Sequence, residues 1–111
     1  MDVKLAYLHG VLDEEIYMEQ PEGFIAQGED KVCRLVHSLY RLKQAGRVWN
    51  RTFAHTIKKK SGFDTIHSDA EVYVLRHHHK GGNSEMDMIL ILYVDDLLLL
   101  GEDLSKIHKV M

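Results

Sequence analysis

Ile89-Leu90-Ile91-Leu92-Tyr93-Val94-Asp95-Asp96-Leu97-Leu98-Leu99-Leu100-Gly101 is the stretch on which the fold turns. Two apolar runs of strand length flank a pair of adjacent acids. The whole region is too short to cross a bilayer, and each central Asp would cost about 2.5 to 3.5 kcal/mol in lipid. A membrane span is therefore rejected. Asp tolerates turn conformations, so the simplest geometry is a β-hairpin with Asp95 and Asp96 at its tip and its apolar arms in the core. Desolvation and mutual repulsion both disfavour two ionised carboxylates in such surroundings, and a divalent cation removes the conflict. Carboxylate oxygens are hard ligands suited to Mg²⁺ or Mn²⁺. The doubled Asp taken alone has a second reading, a plain polar turn, and the pattern leaves both open.

Working outward, Val72-Tyr73-Val74-Leu75 reads as a strand, and Lys80-Gly81-Gly82-Asn83-Ser84 as a flexible loop into the apolar run. Upstream, Val48, Trp49, Thr52, Phe53, Thr56 and Ile57 recur at helical spacing, which predicts a helix over residues 45–60. Gly62 ends it, and Lys58-Lys59-Lys60 complement the negative end of the helix dipole. Residues 31–36 alternate as a short strand, and residues 2–8 begin as another. His9-Gly10 marks a turn into Asp13-Glu14-Glu15, where the chain bends, before Ile16-Tyr17-Met18 extends again and Pro21 and Gly23 close it. Residues 104–111 begin a helix. The sum is an α+β domain, an antiparallel sheet with a helix packed on one face.

At 111 residues, 45% of them hydrophobic and 28% charged, the chain suits one small globular core. A core of that size is marginal. The formal charge of −3 gives no global attraction to phosphate, so nucleic-acid binding needs a local basic patch or bound cations. Cys33, the single cysteine, cannot form an internal disulfide, which fits an intracellular, reducing compartment. No charged start followed by an apolar run marks a signal peptide. Cys33 reads as a small core residue. His77-His78-His79 reads as a solvated turn rather than a metal site, and Lys58, Lys59 and Lys60 either bind nucleic-acid phosphate or serve only the helix dipole. Asp2, heading a short strand, is the best-placed third acid.

Tyr93-Val94-Asp95-Asp96 resembles the aromatic-x-Asp-Asp signature of reverse transcriptases, and Asp2-Val3-Lys4-Leu5-Ala6-Tyr7-Leu8-His9-Gly10 resembles their first palm motif. Between them, Leu12-Asp13-Glu14-Glu15-Ile16-Tyr17-Met18-Glu19-Gln20-Pro21-Glu22-Gly23-Phe24 and Ser38-Leu39-Tyr40-Arg41-Leu42-Lys43-Gln44-Ala45 resemble the copia branch of retrotransposon enzymes. The resemblance covers nearly the whole chain. It implies part of the palm of a right-hand polymerase over residues 1–111, with fingers, thumb and RNase H outside it. The implied activity is RNA-directed DNA polymerisation from an RNA or DNA template with primer and dNTPs, by two Mg²⁺ (or Mn²⁺) ions, within a Pol polyprotein and its virus-like particle. Asp2, Asp95 and Asp96 match the catalytic and metal-binding acids, with the Val3 carbonyl as a further ligand. Tyr7 matches the aromatic that excludes a ribose 2′-hydroxyl, and Tyr40 and Arg41 fall in the nucleotide-binding segment.

Three departures from the family pattern carry physical cost. Arg41 replaces the glycine of Ser-Leu-Tyr-Gly-Leu-Lys-Gln-Ala-Pro, where close backbone approach is needed. Gly46 replaces its proline and loosens the helix start. Glu71 stands where a small apolar residue is usual, and burying it unpaired would be costly. Together they read as marks of a decaying copy, without polymerase activity as an isolated chain.

Overall fold

The computed structural model describes residues 1–25, 30–78 and 84–110. Among them, a 3-10 turn (Ala6–His9) is followed by β1 (Val11–Glu19), β2 (Val32–His37), α1 (Ala45–Ser61), β3 (Asp64–Ile66), β4 (Asp69–His78), β5 (Ser84–Tyr93), β6 (Asp96–Gly101) and α2 (Leu104–Val110). The fold is α+β and antiparallel, as the sequence implies, but with two sheets where one was expected. β1 and β2 form a separate ribbon, and β3-β4-β5-β6 form the main sheet in that order.

The apolar run makes the hairpin. β5 pairs β6 from Met88↔Gly101 to Tyr93↔Asp96, leaving Val94 and Asp95 as the loop. Side chains alternate across a strand, so Leu90, Leu92 and Leu97 point to one face and are buried there, while Tyr93, Leu98 and Leu100 on the other face are exposed. The arms are thus sunk on one side only. Across the buried face lies α1, whose Trp49 and Phe53 rings stand 5.5 Å apart and continue to Tyr73 of β4 at 5.4 Å. The predicted helical face of α1 is the buried one except for Thr56, which is exposed. Gly62 ends the helix at φ 74°, the left-handed region that glycine enters without steric cost, and donates its N–H to Lys58 O.

Several local expectations are corrected. In residues 2–8 only Asp2 forms a bridge; the chain then turns through Leu5 at φ 58° into the 3-10 turn, which buries Ala6 against the core. The acids expected at a bend lie within β1 at a register shift between Val11 and Ile16, where four residues face one of β2 and the strand bends, as the sequence implies. Arg51 donates to Asp13 at 2.9 Å and Arg47 to Glu14 at 3.4 Å, fastening the ribbon to α1, and the Arg51 bond holds the Asp13 carboxyl below its usual range. Exposed pairs of this kind contribute little, because water and salt screen them. The ribbon buries little else, and Cys33 on β2 is only half-buried rather than in the core. With a radius of gyration of 18.7 Å the molecule is much longer than the about 13 Å expected of a compact chain this size. Glu71 is exposed on β4, so the feared burial cost does not arise.

β3 is new, three residues that pair with β4. Of the expected loop over residues 80–84, only Ser84 at the head of β5 falls inside the described residues, and His79 falls outside them. α2 forms as expected; Asp103 accepts the Ser105 N–H at 2.8 Å at its start, and Lys106 donates to Asp87 of β5 at 2.7 Å. His77 Nε2 stands 3.0 Å from the second Asp87 oxygen, near enough for ion pairing but not aligned as a hydrogen bond. Among the described residues, no helix is long and apolar enough to cross a membrane.

Tyr73 is 1% exposed, and its hydroxyl has no hydrogen-bond partner among the described residues. Burial, with a smaller contribution from the Glu71 carboxylate, pushes its phenol up to about 12. The fold therefore favours the neutral phenol. That contribution is whole below the unfolded value near 10 and is lost as pH rises through about 12. Thermal melts across this alkaline range should show stability falling in the natural chain and falling less in Tyr73→Phe. At neutral pH the variant should be as stable or up to about 1 kcal/mol more so, because it loses no hydrogen bond.

Candidate active site

The acid hairpin is closed by a third short segment. Leu97 donates its N–H to Met1 O at 2.7 Å, and Val3 donates to Asp95 O at 2.7 Å. These bonds bracket the antiparallel Asp2↔Asp96 bridge, which makes it a non-hydrogen-bonded pair, the closer of the two antiparallel spacings. Directly opposite side chains share a face, with Cβ atoms about 4.5 to 5.5 Å apart. Backbone pairing alone thus joins Asp2 to Asp96 from opposite ends of the chain. Asp2 and Asp96 are exposed and Asp95 half-buried, and among the described residues none is ion-paired.

Asp95 is held by the loop. Val94 before it has φ 59°, a conformation that costs a β-branched residue about 1 to 3 kcal/mol. Trp49 Nε1 of α1 donates to Val94 O at 2.6 Å. On the sequence Trp49 was legible only as part of the apolar helix face. The signal that points further is the two-residue loop itself, since tight hairpin loops demand positive φ and the sequence places a valine there.

Tyr7 and Tyr40 meet edge to face, ring centroids 4.6 Å apart. Desolvation first, and then the Asp95 carboxylate, Tyr7 and Asp2, push the Tyr40 phenol above its ordinary value. The Tyr40 phenol thus feels the charge of both Asp95 and Asp2. Arg41 follows at φ 74°, exposed. Lys58, Lys59 and Lys60 lie elsewhere. They occupy the last turn of α1, at least about 14 Å along the helix from Trp49 at 1.5 Å per residue, and Lys58 Nζ is 2.6 Å from Asp64 Oδ1.

Among the described residues no three His, Cys, Asp or Glu side chains stand together as a ready metal cage. Mg²⁺ needs no such cage, because it is commonly held by one or two carboxylates with substrate phosphates completing its shell. The paired, unneutralised Asp2 and Asp96 beside Asp95 fit that donor set. The Val3 N–H is committed to Asp95 O, which fixes Val3 next to the acids.

Residues 1–111 match the family model described as reverse transcriptase (RNA-dependent DNA polymerase). The chain belongs to this reverse transcriptase family. It is 47% identical over 111 residues to the retrovirus-related Pol polyprotein from transposon TNT 1-94 of Nicotiana tabacum, covering 99% of this chain and 8% of that protein. It is 41% identical over 107 residues to the corresponding polyprotein from transposon RE2 of Arabidopsis thaliana, covering 93% of this chain and 7% of that protein. A truncated transposon Ty1-A Gag-Pol polyprotein of Saccharomyces cerevisiae is 31% identical over 111 residues, covering the whole chain and 8% of that protein. These relatives are Pol polyproteins of copia-type transposons in plants and yeast. The chain thus spans less than a tenth of the length of these relatives. No solved structure matches it.

The structure gives the reverse transcriptase departures different weights. A Cβ on Gly46 would meet nothing within 4 Å, so no packing demands glycine there. Arg41 is the costly one, because the position requires left-handed backbone and not merely a small side chain. Arg41→Gly should therefore raise stability by about 1 kcal/mol, relief of φ strain partly offset by glycine's larger unfolded-state entropy. Chemical denaturation of the two chains measures this, and a loss of stability would show that the Arg41 side chain makes a compensating contact.

Proposed function

We propose that this chain is the acid-bearing palm segment of a copia-type reverse transcriptase, and that Asp2, Asp95 and Asp96 hold divalent cations for nucleotidyl transfer within a larger Pol polyprotein. The observation that carries the reading is the Asp2↔Asp96 pairing, which joins the two most widely separated family motifs at one end of the sheet. When bound, Mg²⁺ or Mn²⁺ would activate the primer 3′-hydroxyl and neutralise charge on the departing pyrophosphate. The residues here do the positioning. Asp2 and Asp96 would present oxygens from facing strands, Asp95 from the loop between, and the Val3 carbonyl is a further candidate ligand. Tyr7, braced by Tyr40, would form the floor under the incoming sugar and leave no room for a 2′-hydroxyl.

Template, primer and dNTPs are the substrates of this reading, and the rest of the polyprotein supplies the grip on them. The setting would be an intracellular, virus-like particle. The strained Arg41 in the nucleotide-binding segment favours a second reading, that this copy has lost its catalytic competence. A nucleic-acid-binding module built on Lys58, Lys59 and Lys60 gains less support, since Lys58 is already paired with Asp64 at the end of α1 remote from Trp49.

The test is thermal stability during Mg²⁺ or Mn²⁺ titration of the 111-residue chain and of Asp95→Asn. A ligand at about 100 times its Kd stabilises by about 2.7 kcal/mol. The natural chain should gain stability by about that much at saturating Mn²⁺, and Asp95→Asn should gain far less. Equal response in both chains, or none in either, would sink the metal reading. Incorporation of labelled dNTP on a primed template by the chain alone is expected to be undetectable.

A further inference from the structure

Val94 is the strained point of the acid hairpin, held at φ 59° with a side chain 43% exposed, so side-chain packing secures it only in part. Its backbone is held as well, and the anchor at its carbonyl is the Trp49 indole at 2.6 Å. Trp49 is itself fixed: it is 5% exposed, one turn into α1, with its ring against Phe53. The next carbonyl, that of Asp95, receives the Val3 N–H at 2.7 Å. Consecutive carbonyls of the loop are thus anchored by two different elements, the helix and residues 1–3.

We infer that Trp49 is a positioning residue: its indole N–H clamps the Val94 carbonyl, keeps the loop in its left-handed conformation, and thereby sets Asp95 and Asp96 for cation binding. The inference rests on the metal reading above for its last clause only. Without the clamp, a valine relaxes towards negative φ, the loop opens, and Asp95 rotates away from the Asp2 and Asp96 pair. Aromatic packing alone would not do this, because it fixes the ring and not the carbonyl. Phe in place of Trp49 keeps most of the packing and removes the donor. Asn in place of Val94 adopts positive φ readily, so it should make the clamp dispensable.

The experiment compares the natural chain, Trp49→Phe, Val94→Asn and the double variant by amide hydrogen exchange and by Mn²⁺ binding. Trp49→Phe should speed exchange at Val3 and Leu97, the amides that close the hairpin, by about tenfold more than at other protected amides, and should weaken Mn²⁺ binding roughly tenfold, the low end for a group that orients ligands without touching metal. The double variant should recover most of both. Val3 and Leu97 unaffected by Trp49→Phe, or loosened without recovery on adding Val94→Asn, would overturn the clamp. If Trp49→Phe does not fold, Val94→Asn alone decides: a rise in stability supports a strained, clamped valine, and none overturns it. A natural chain that binds no Mn²⁺ yet shows the exchange pattern would sink the metal reading and leave the clamp standing.

Discussion

The pairing of residues 1–3 with the acid hairpin is the constraint on which the rest depends. It closes a loop of nearly the whole chain, from Asp2 to Asp96. Loop closure on that scale is entropically unfavourable, though the cost grows only slowly with length. Three backbone hydrogen bonds cannot meet it alone. What supports the closure is the core just beneath: Ala6, Trp49, Leu92 and Leu97 belong to one buried cluster, with Val3 packed against it. The geometry of the acids is thus a consequence of apolar packing. Any change that loosens α1 on the sheet should be felt at the tip before it is felt in the ribbon, which is fastened mainly by exposed ion pairs.

What could be read in the sequence was what is local and periodic. The α1 helix, its Gly62 stop and the acid hairpin each announce themselves within a short window, and the observed bounds differ by a residue or so. The misreadings share a cause. Asp13-Glu14-Glu15 has turn-like composition and does fall at the register shift of β1, but its place beside α1 could not be read locally, because Arg47 and Arg51, more than thirty residues away, are the partners of Glu14 and Asp13. Residues 2–8 have strand-like composition, yet Leu5 at φ 58° sends them into a 3-10 turn whose buried Ala6 fills the space under α1. β3 is too short for periodicity to register. The candidate site was legible as a set of acids and tyrosines. The loop strain, the indole anchor and the separation of the lysines from the acids were not, because all three depend on tertiary placement.

The family pattern gains physical content from the backbone. A glycine at position 41 would serve a left-handed residue, whereas a proline at position 46 would serve only helix entry. The first requirement is steric and the second is a matter of conformational entropy, so their loss is not equivalent. Glu71 belongs to neither class, since an exposed strand position accepts a carboxylate freely. Of the three departures only Arg41 is paired with a structural cost, and it adjoins Tyr40, whose phenol feels both Asp2 and Asp95. Damage at that point would reach Tyr40 without unfolding the domain.

At the tip two unfavourable terms are superposed. Carboxylates on facing strands repel one another, and a β-branched residue is held at positive φ beside them. Neither helps the chain fold, so the rest of the structure must outweigh both. Repulsion is relieved by a cation, whereas the loop strain persists with or without one. On the metal reading proposed above, the backbone of the tip would already be ordered before a cation binds. The corollary is that the order of the tip depends on Trp49 and on residues 1–3 rather than on the acids themselves.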